Sequence, residues 1–350
     1  MRRVLVARLD SVGDVLLAGP AVRAVAAGRD GAPAEVSLLC GPQGAPAARR
    51  LPGVGQVLEW SCPWIVDPAP PVSQTGLDEL SALLAASGAD EAVILTSFHQ
   101  SPLPLALLLR LNGFRRITGA SVDFAGQLLD VRLRPGEDFP EDQPEPVRAL
   151  TIAQAAGYRL PAGDSGRLAV RPGPDVSALV GDPPYVVVHP GAAVPSRAWP
   201  VESAARTVRL LAGAGLRVLV TGGSRERALT AQVAAAGGED LGGRTDLAEL
   251  STVLRGAQVT IAGNTGPAHL SASVGTPVVS LFSPVVPAVR WAPYGVPVEL
   301  LGDQDAACRG TRARTCPVPG HPCLSSVTPE EVVEACLRLI DQPGPERKVP

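Results

Sequence analysis

Four short loops carry the residues whose types and spacing can do chemistry. The first is Asp10-Ser11-Val12-Gly13-Asp14, where Gly13 permits an unusual backbone turn and Asp14 stands at the mouth of a helical pattern. A carboxylate there can accept a proton from a substrate hydroxyl. Capping the helix and pairing with its dipole is the commoner use of an isolated aspartate at such a place, and the local sequence by itself favours that cap. The second is His189-Pro190-Gly191-Ala192-Ala193, followed by Arg197-Ala198-Trp199-Pro200. Small residues bring backbone N–H groups close to a ligand, and Arg197 offers a fork of donors to a phosphate, unless the stretch is only a tight connection with Trp199 packed behind it. The third, Thr221-Gly222-Gly223-Ser224-Arg225-Glu226, could lie beside a base and ribose. Glu226 is then either an acceptor for ribose hydroxyls or a first-turn acid that suits the helix dipole. The fourth, Asn264-Thr265-Gly266-Pro267-Ala268-His269, sets unpaired amides and a dipole end where a diphosphate could rest, with no lysine required. His269 lies one turn above that cradle, and its odds of touching a ligand or of being a structural core histidine are even.

These loops need a scaffold, and the flanking patterns supply one. Residues 3–7 read as a buried strand, and residues 15–27 as an alanine-rich helix. Strand-like runs at 35–39, 57–60 and 92–95 alternate with helical or Pro/Gly-rich stretches, as in a parallel α/β sheet. Residues 160–184 are dense in proline and glycine and read as an interdomain connection. Four more β-branched runs follow, at 185–188, 217–220, 259–262 and 278–282. Thr328-Pro329-Glu330-Glu331 carries a capping box and a first-turn proline, which predicts a last helix to about residue 340. The expected organisation is a first domain over 1–170, a second over 171–327, and a terminal helix and tail over 328–350. In doubly wound sheets ligands sit beyond the C-terminal strand ends, where all four loops fall.

Composition bounds the function. A chain of 350 residues that is 45% hydrophobic can fill two cores. A net charge of −3 with no dense basic run argues against nucleic acid. The longest apolar runs fall well short of the roughly 18 to 20 residues that cross a bilayer, and Arg8, Asp10 and Asp14 interrupt any export signal. A cytoplasmic location is expected. Lys348 is the only lysine, so arginine in place of lysine reflects genome composition, and single arginines carry little weight.

In order, these motifs resemble glycosyltransferase family 9, the heptosyltransferases, over nearly the whole chain. The resemblance rests on the segments 10–14, 197–200, 223–226 and 264–269, the last followed by Leu270-Ser271-Ala272-Ser273-Val274-Gly275-Thr276-Pro277. Thr315-Cys316-Pro317 and His321-Pro322-Cys323-Leu324 resemble the heptosyltransferase II branch. The resemblance implies a GT-B fold, two Rossmann-like parallel-sheet domains facing across a cleft. It implies an inverting, metal-independent transfer of a hexosyl or heptosyl unit, with ADP-heptose the typical donor, in lipopolysaccharide or another cell-surface glycan pathway. Asp14 becomes the general base, with Ser11 and Gly13 on the acceptor side. Arg197 meets the leaving diphosphate, and His189, Gly191, Gly223, Glu226, Asn264, Thr265, Gly266 and His269 complete the donor site. No cofactor or metal is implied. The partners are a nucleotide sugar and a glycan or glycolipid, with peripheral membrane contact through the acceptor.

Four departures from the family pattern stand in the sequence. Asn264 stands where aspartate is usual, Phe282-Ser283-Pro284-Val285 replaces F-G-P-T, Arg197 replaces the lysine of many relatives, and Thr311 takes a late cysteine position. Cys308, Cys316 and Cys323 with His321 could form a zinc set, but no C-x-x-C pair supports it, and a loop of reduced thiols near the acceptor is preferred. A nucleotide-sugar 2-epimerase on the same fold, or a nucleotide-binding protein that has lost catalysis, remain alternatives. A dinucleotide dehydrogenase is disfavoured because no G-x-G-x-x-G follows the first strand.

Overall fold

A computed structural model describes residues 1–29 and 31–342. The chain divides between Arg171 and Pro172 into two compact units. The first holds six strands: β1 (Arg2–Ala7), β2 (Ala34–Cys40), β3 (Val54–Glu59), β4 (Glu91–Ile94), β5 (Arg116–Ala120) and β6 (Val131–Leu133). All pair in parallel, in the order β3-β2-β1-β4-β5-β6. The second holds β7 (Tyr185–His189), β8 (Val218–Val220), β9 (Glu239–Asp240), β10 (Ala257–Gly263), β11 (Val278–Leu281) and β12 (Val298–Leu301). Its order, β12-β11-β10-β7-β8-β9, repeats the first pattern, again all parallel. Two Rossmann-like parallel sheets are what the sequence led us to expect.

The central strands are buried on both faces, which explains their unbroken apolar runs. Every residue of β7 is buried, as are the last four of β1. The strands that sequence alone does not reveal lie toward the edges. β6 and β12 are only half-buried, β9 is two acidic residues, and β5 carries Gly119. Edge strands need no continuous apolar stretch, so their pattern is faint.

The helix expected over residues 15–27 is two helices, Val12–Leu17 and Gly19–Ala27. Pro20 has no N–H to continue the ladder, and the Ala18 N–H turns back to both Asp14 and Val15 carbonyls.

At the far end, the helix Pro329–Asp341 forms the expected capping box. The Glu331 N–H donates to Thr328 Oγ1 at 3.2 Å, and the Thr328 N–H to Glu331 Oε2 at 2.7 Å. Its buried face, Val332, Ala335, Cys336 and Leu339, joins the core of the second unit. Residues 343–350, with Lys348, lie outside the described residues. Among the described residues no helix is long and apolar enough to cross a membrane.

Candidate functional site

In each sheet the chain steps to one side and then returns to the other, so neighbouring strand ends are left without a common crossover. These switch points fall between β1 and β4 in the first unit and between β7 and β10 in the second. Three of the four loops singled out from sequence follow β1, β7 and β10 at those ends, and the loop from Thr221 to Glu226 follows β8, the neighbour of β7.

At the first switch point stands Arg8, one residue past β1 and 2% exposed. Three carboxylates surround it. Its Nε lies 3.0 Å from Asp10 Oδ2, its Nη2 3.0 Å from Asp14 Oδ1, and its Nη1 3.3 Å from Glu145 Oε2. Nη2 also donates to Ser97 Oγ at 2.6 Å. Burial opposes the charge on Arg8, but the three carboxylates outweigh it and hold the guanidinium above its ordinary value. Burial pushes Asp10 and Glu145 above the usual carboxylate range despite Arg8. Gln100 donates to Asp10 Oδ1, and Arg148, whose own value burial lowers, donates to the Thr96 carbonyl.

Asp14 is the most exposed carboxylate of this cluster, its side chain 20% exposed against 14% for Asp10 and 2% for Glu145. Ser11 Oγ donates to Asp14 Oδ2 at 2.9 Å, so both carboxylate oxygens are oriented. The helix has no side-chain cap hydrogen bond, and the capping use favoured by local sequence is replaced by the salt bridge to Arg8. Gly13 is buried in the first turn beneath it. Sequence reasoning missed Arg8, Ser97, Gln100 and Glu145. Arg8 and Asp10 were visible as charges just past a buried strand, whereas Glu145 sits 137 residues from Arg8 with no local sign.

At the second switch point, His189 ends β7, opposite Ala262 of β10, and is 7% exposed. Its Nδ1 is 3.0 Å from Thr221 Oγ1, and its Nε2 is 3.9 Å from Glu226 Oε2. Glu226 Oε2 also accepts the Gly223 N–H at 2.7 Å, so this acid caps its own turn. Gly191 lets the Glu226 carboxylate come close, since a Cβ there would stand 1.9 Å from Oε1 and push that side chain aside. His189, Gly191 and Arg197 line one small pocket with Trp199 and Gly263.

Past β10, Asn264 and Thr265 lead into the helix Gly266–Ser273. The buried Asn264 Oδ1 and Nδ2 and Thr265 Oγ1 have no hydrogen-bond partner among the described residues. The Thr265 N–H is engaged by the Gly263 carbonyl at 2.9 Å, Pro267 has none, and the Ala268 N–H turns back to Thr265 at 3.2 Å. Among these residues the amide left for a ligand is that of Gly266. His269 is buried one turn on, at 5% exposure.

Arg197 sits on a turn, Pro195–Arg197, that is pinned from far along the chain. The Ser196 N–H donates to the Arg314 carbonyl at 3.0 Å and Ser196 Oγ to that of Ala313 at 2.5 Å. His321 Nε2 stands 3.0 Å from the Ser196 carbonyl, and Trp199 Nε1 donates to that of Val327 at 3.3 Å. The segment that carries the late cysteines is thus a brace for the Arg197 turn. All six cysteines are unbridged. Cys316 Sγ faces the Val318 carbonyl, Cys323 Sγ faces Ser283 Oγ, and burial pushes the Cys323 thiol up to about 11. Among the described residues no three His, Cys, Asp or Glu side chains are grouped to hold a metal ion.

The sequence model of glycosyltransferase family 9 (heptosyltransferase) matches residues 122–321. Lipopolysaccharide heptosyltransferase 1 of Pseudomonas aeruginosa is 33% identical over 172 residues, which is 47% of this chain and 46% of that protein. The chain spans less than half the length of the curated relatives it matches. Among solved structures, a family 9 glycosyltransferase from Veillonella parvula superposes with a TM-score of 0.75 at 18% identity, covering 97% of each chain. The E. coli ADP-heptose LPS heptosyltransferase II gives 0.71 at 18% identity, covering 97% of this chain and 98% of its own. At such identities the structural likeness concerns the fold.

Two outcomes follow from the geometry. Arg8→Met leaves buried carboxylates without their cation and should cost about 3–5 kcal/mol in urea unfolding, part of which returns when Glu145→Gln is added. An unchanged unfolding midpoint would show the cluster to be energetically idle. Burial pushes the His189 imidazole below its ordinary value, against the pull of Glu226. The unfolded chain then takes up a proton near about pH 6.5 that the folded chain refuses. The stability linked to this group is complete above that pH and is lost as pH falls toward the lowered folded value. Urea titrations on both sides of that pH should show wild type losing stability relative to His189→Gln, and parallel curves would mean that folded His189 accepts the proton freely.

Proposed function

The chain belongs to glycosyltransferase family 9 (heptosyltransferase), and from that premise we propose that it is an inverting glycosyltransferase. It moves a sugar, in the simplest reading a heptose from ADP-heptose, onto a hydroxyl of a glycan or glycolipid. The second unit holds the donor and the first the acceptor. The observation that carries this reading is the unsatisfied polar group at the second switch point. Buried donors and acceptors cost about 1–3 kcal/mol each when unpaired, and a fold keeps them where a ligand supplies the partners. Asn264 and Thr265 present three such atoms at the mouth of a helix. The printed names of the relatives, heptosyltransferases of lipopolysaccharide and an ADP-heptose enzyme, support the donor class.

In this reading Asp14, oriented by Arg8 and Ser11, removes the acceptor proton as the hydroxyl oxygen attacks the anomeric carbon. The diphosphate leaves from the opposite face. The Arg197 guanidinium and the Gly266 N–H meet the charge that develops on it, so no metal is required. Losing one such preorganised donor costs on the order of 100 to 1,000-fold in rate. Asn264 brings an amide where the family pattern has aspartate, which lowers the local negative charge beside an anionic leaving group.

Asp14→Asn should abolish most transfer while leaving ADP affinity, read by calorimetry, within about twofold of wild type, because the base acts on the acceptor. Equal turnover in the two proteins would remove Asp14 from the chemistry. Transfer should also continue unabated in EDTA, and a strict need for added Mg²⁺ or Mn²⁺ would contradict the metal-free account.

A further inference from the structure

The first unit carries a groove of about 680 Å³ that neither the charge cluster nor the family motifs account for. It is lined by Trp64, Pro63, Pro71 and Val72 and, from the helix Gln74–Ser87, by Leu83 and Ala86. Trp60 builds the floor. It is 4% exposed, its Nε1 donates to the Gly76 carbonyl at 3.0 Å, and its ring meets that of Trp64 edge to face at 5.6 Å. Trp64 is therefore held from below, yet it is 37% exposed and Val72 is 72% exposed. An apolar surface of this kind, open to water and braced behind, is what a binding groove requires.

Two features identify the occupant. Trp64 is a shared wall, because it also lines the space at the first switch point with Asp10, Thr96 and Gln100. The groove thus leads away from the carboxylate cluster that contains Asp14. The second feature is charge. No lysine or arginine is among the described residues that line the groove, whereas Glu59 and Glu79 are. Glu59 has Arg49 as a partner, so Glu79 is the charge a ligand meets on the helical wall. An anionic body would enter without compensation and against a carboxylate. An uncharged body with apolar faces would lie on Trp64 and along Leu83 at no electrostatic cost.

We propose that this groove seats the apolar body of an uncharged acceptor glycoside, with the sugar end toward Asp10 and Gln100, and that it rejects anionic acceptors. The proposal rests on the transferase reading for the word acceptor, and its test stands apart from that reading. Calorimetric titration of the full chain with octyl β-D-glucoside and octyl β-D-glucuronide, both below their micelle concentrations, compares two probes that differ by one carboxylate. The glucoside should bind at least about tenfold more tightly, and Trp64→Ala should weaken it by at least about tenfold, the order expected when one aromatic anchor is removed. Binding of neither probe, equal binding of both, or indifference to Trp64→Ala would overturn the proposal. ADP is titrated into the same samples. If ADP fails to bind while the glucoside binds through Trp64, the groove stands and the transferase reading falls; the reverse result removes the groove alone.

Discussion

Everything chemical in this chain depends on a property of parallel sheets. A parallel strand must be followed by a crossover, and where successive crossovers leave toward opposite sides, the strand ends between them have no helix to cover them. Each unit has one such place, between β1 and β4 and between β7 and β10. The hydrophobic interior stops there, and polar side chains can be enclosed without filling the core. Arg8 and His189 occupy equivalent positions, each at the end of the strand that begins its unit.

The two gaps are furnished differently, and the difference suits different tasks. The first is dense in charge. Arg8 is taken out of water with three carboxylates, an arrangement that is poor at stabilising a fold and good at fixing geometry. Asp14 is the only one of the three that is both tied to this anchor and oriented by a neighbouring hydroxyl. The second gap is nearly free of fixed charge on its helix side. Its buried Asn264 and Thr265 atoms wait for partners, while Glu226 is absorbed in its own turn. One site is finished in the absence of ligand, and the other is not.

Much of this was legible in the sequence, for reasons that can be named. The strand–loop–helix alternation placed the four loops, because central parallel strands must be apolar throughout. Asp14 was visible from the loop after the first strand, but its use was not, since a cap and a salt bridge look alike until Arg8 is known to be buried. Arg8 itself was obscured by the lack of lysine, which makes every arginine look ordinary. Glu145 reaches Arg8 through tertiary folding alone. The break at Ala18 was readable from Pro20 and was overridden by the alanine-rich pattern around it. The late cysteines suggested chemistry of their own, yet their segment serves the backbone of Ser196.

That brace has a consequence for how the protein is made. Ser196 and Trp199 are fastened to partners 117 to 128 residues later in the chain. During synthesis the first unit can close while the second is still emerging, but the Arg197 turn has nothing to rest on until Val327 has left the ribosome. A nascent chain therefore completes the carboxylate cluster around Arg8 long before the Arg197 turn is fixed. Any product cut short before the cysteine segment would resemble the finished chain over most of its length while lacking the contacts that brace the Arg197 turn.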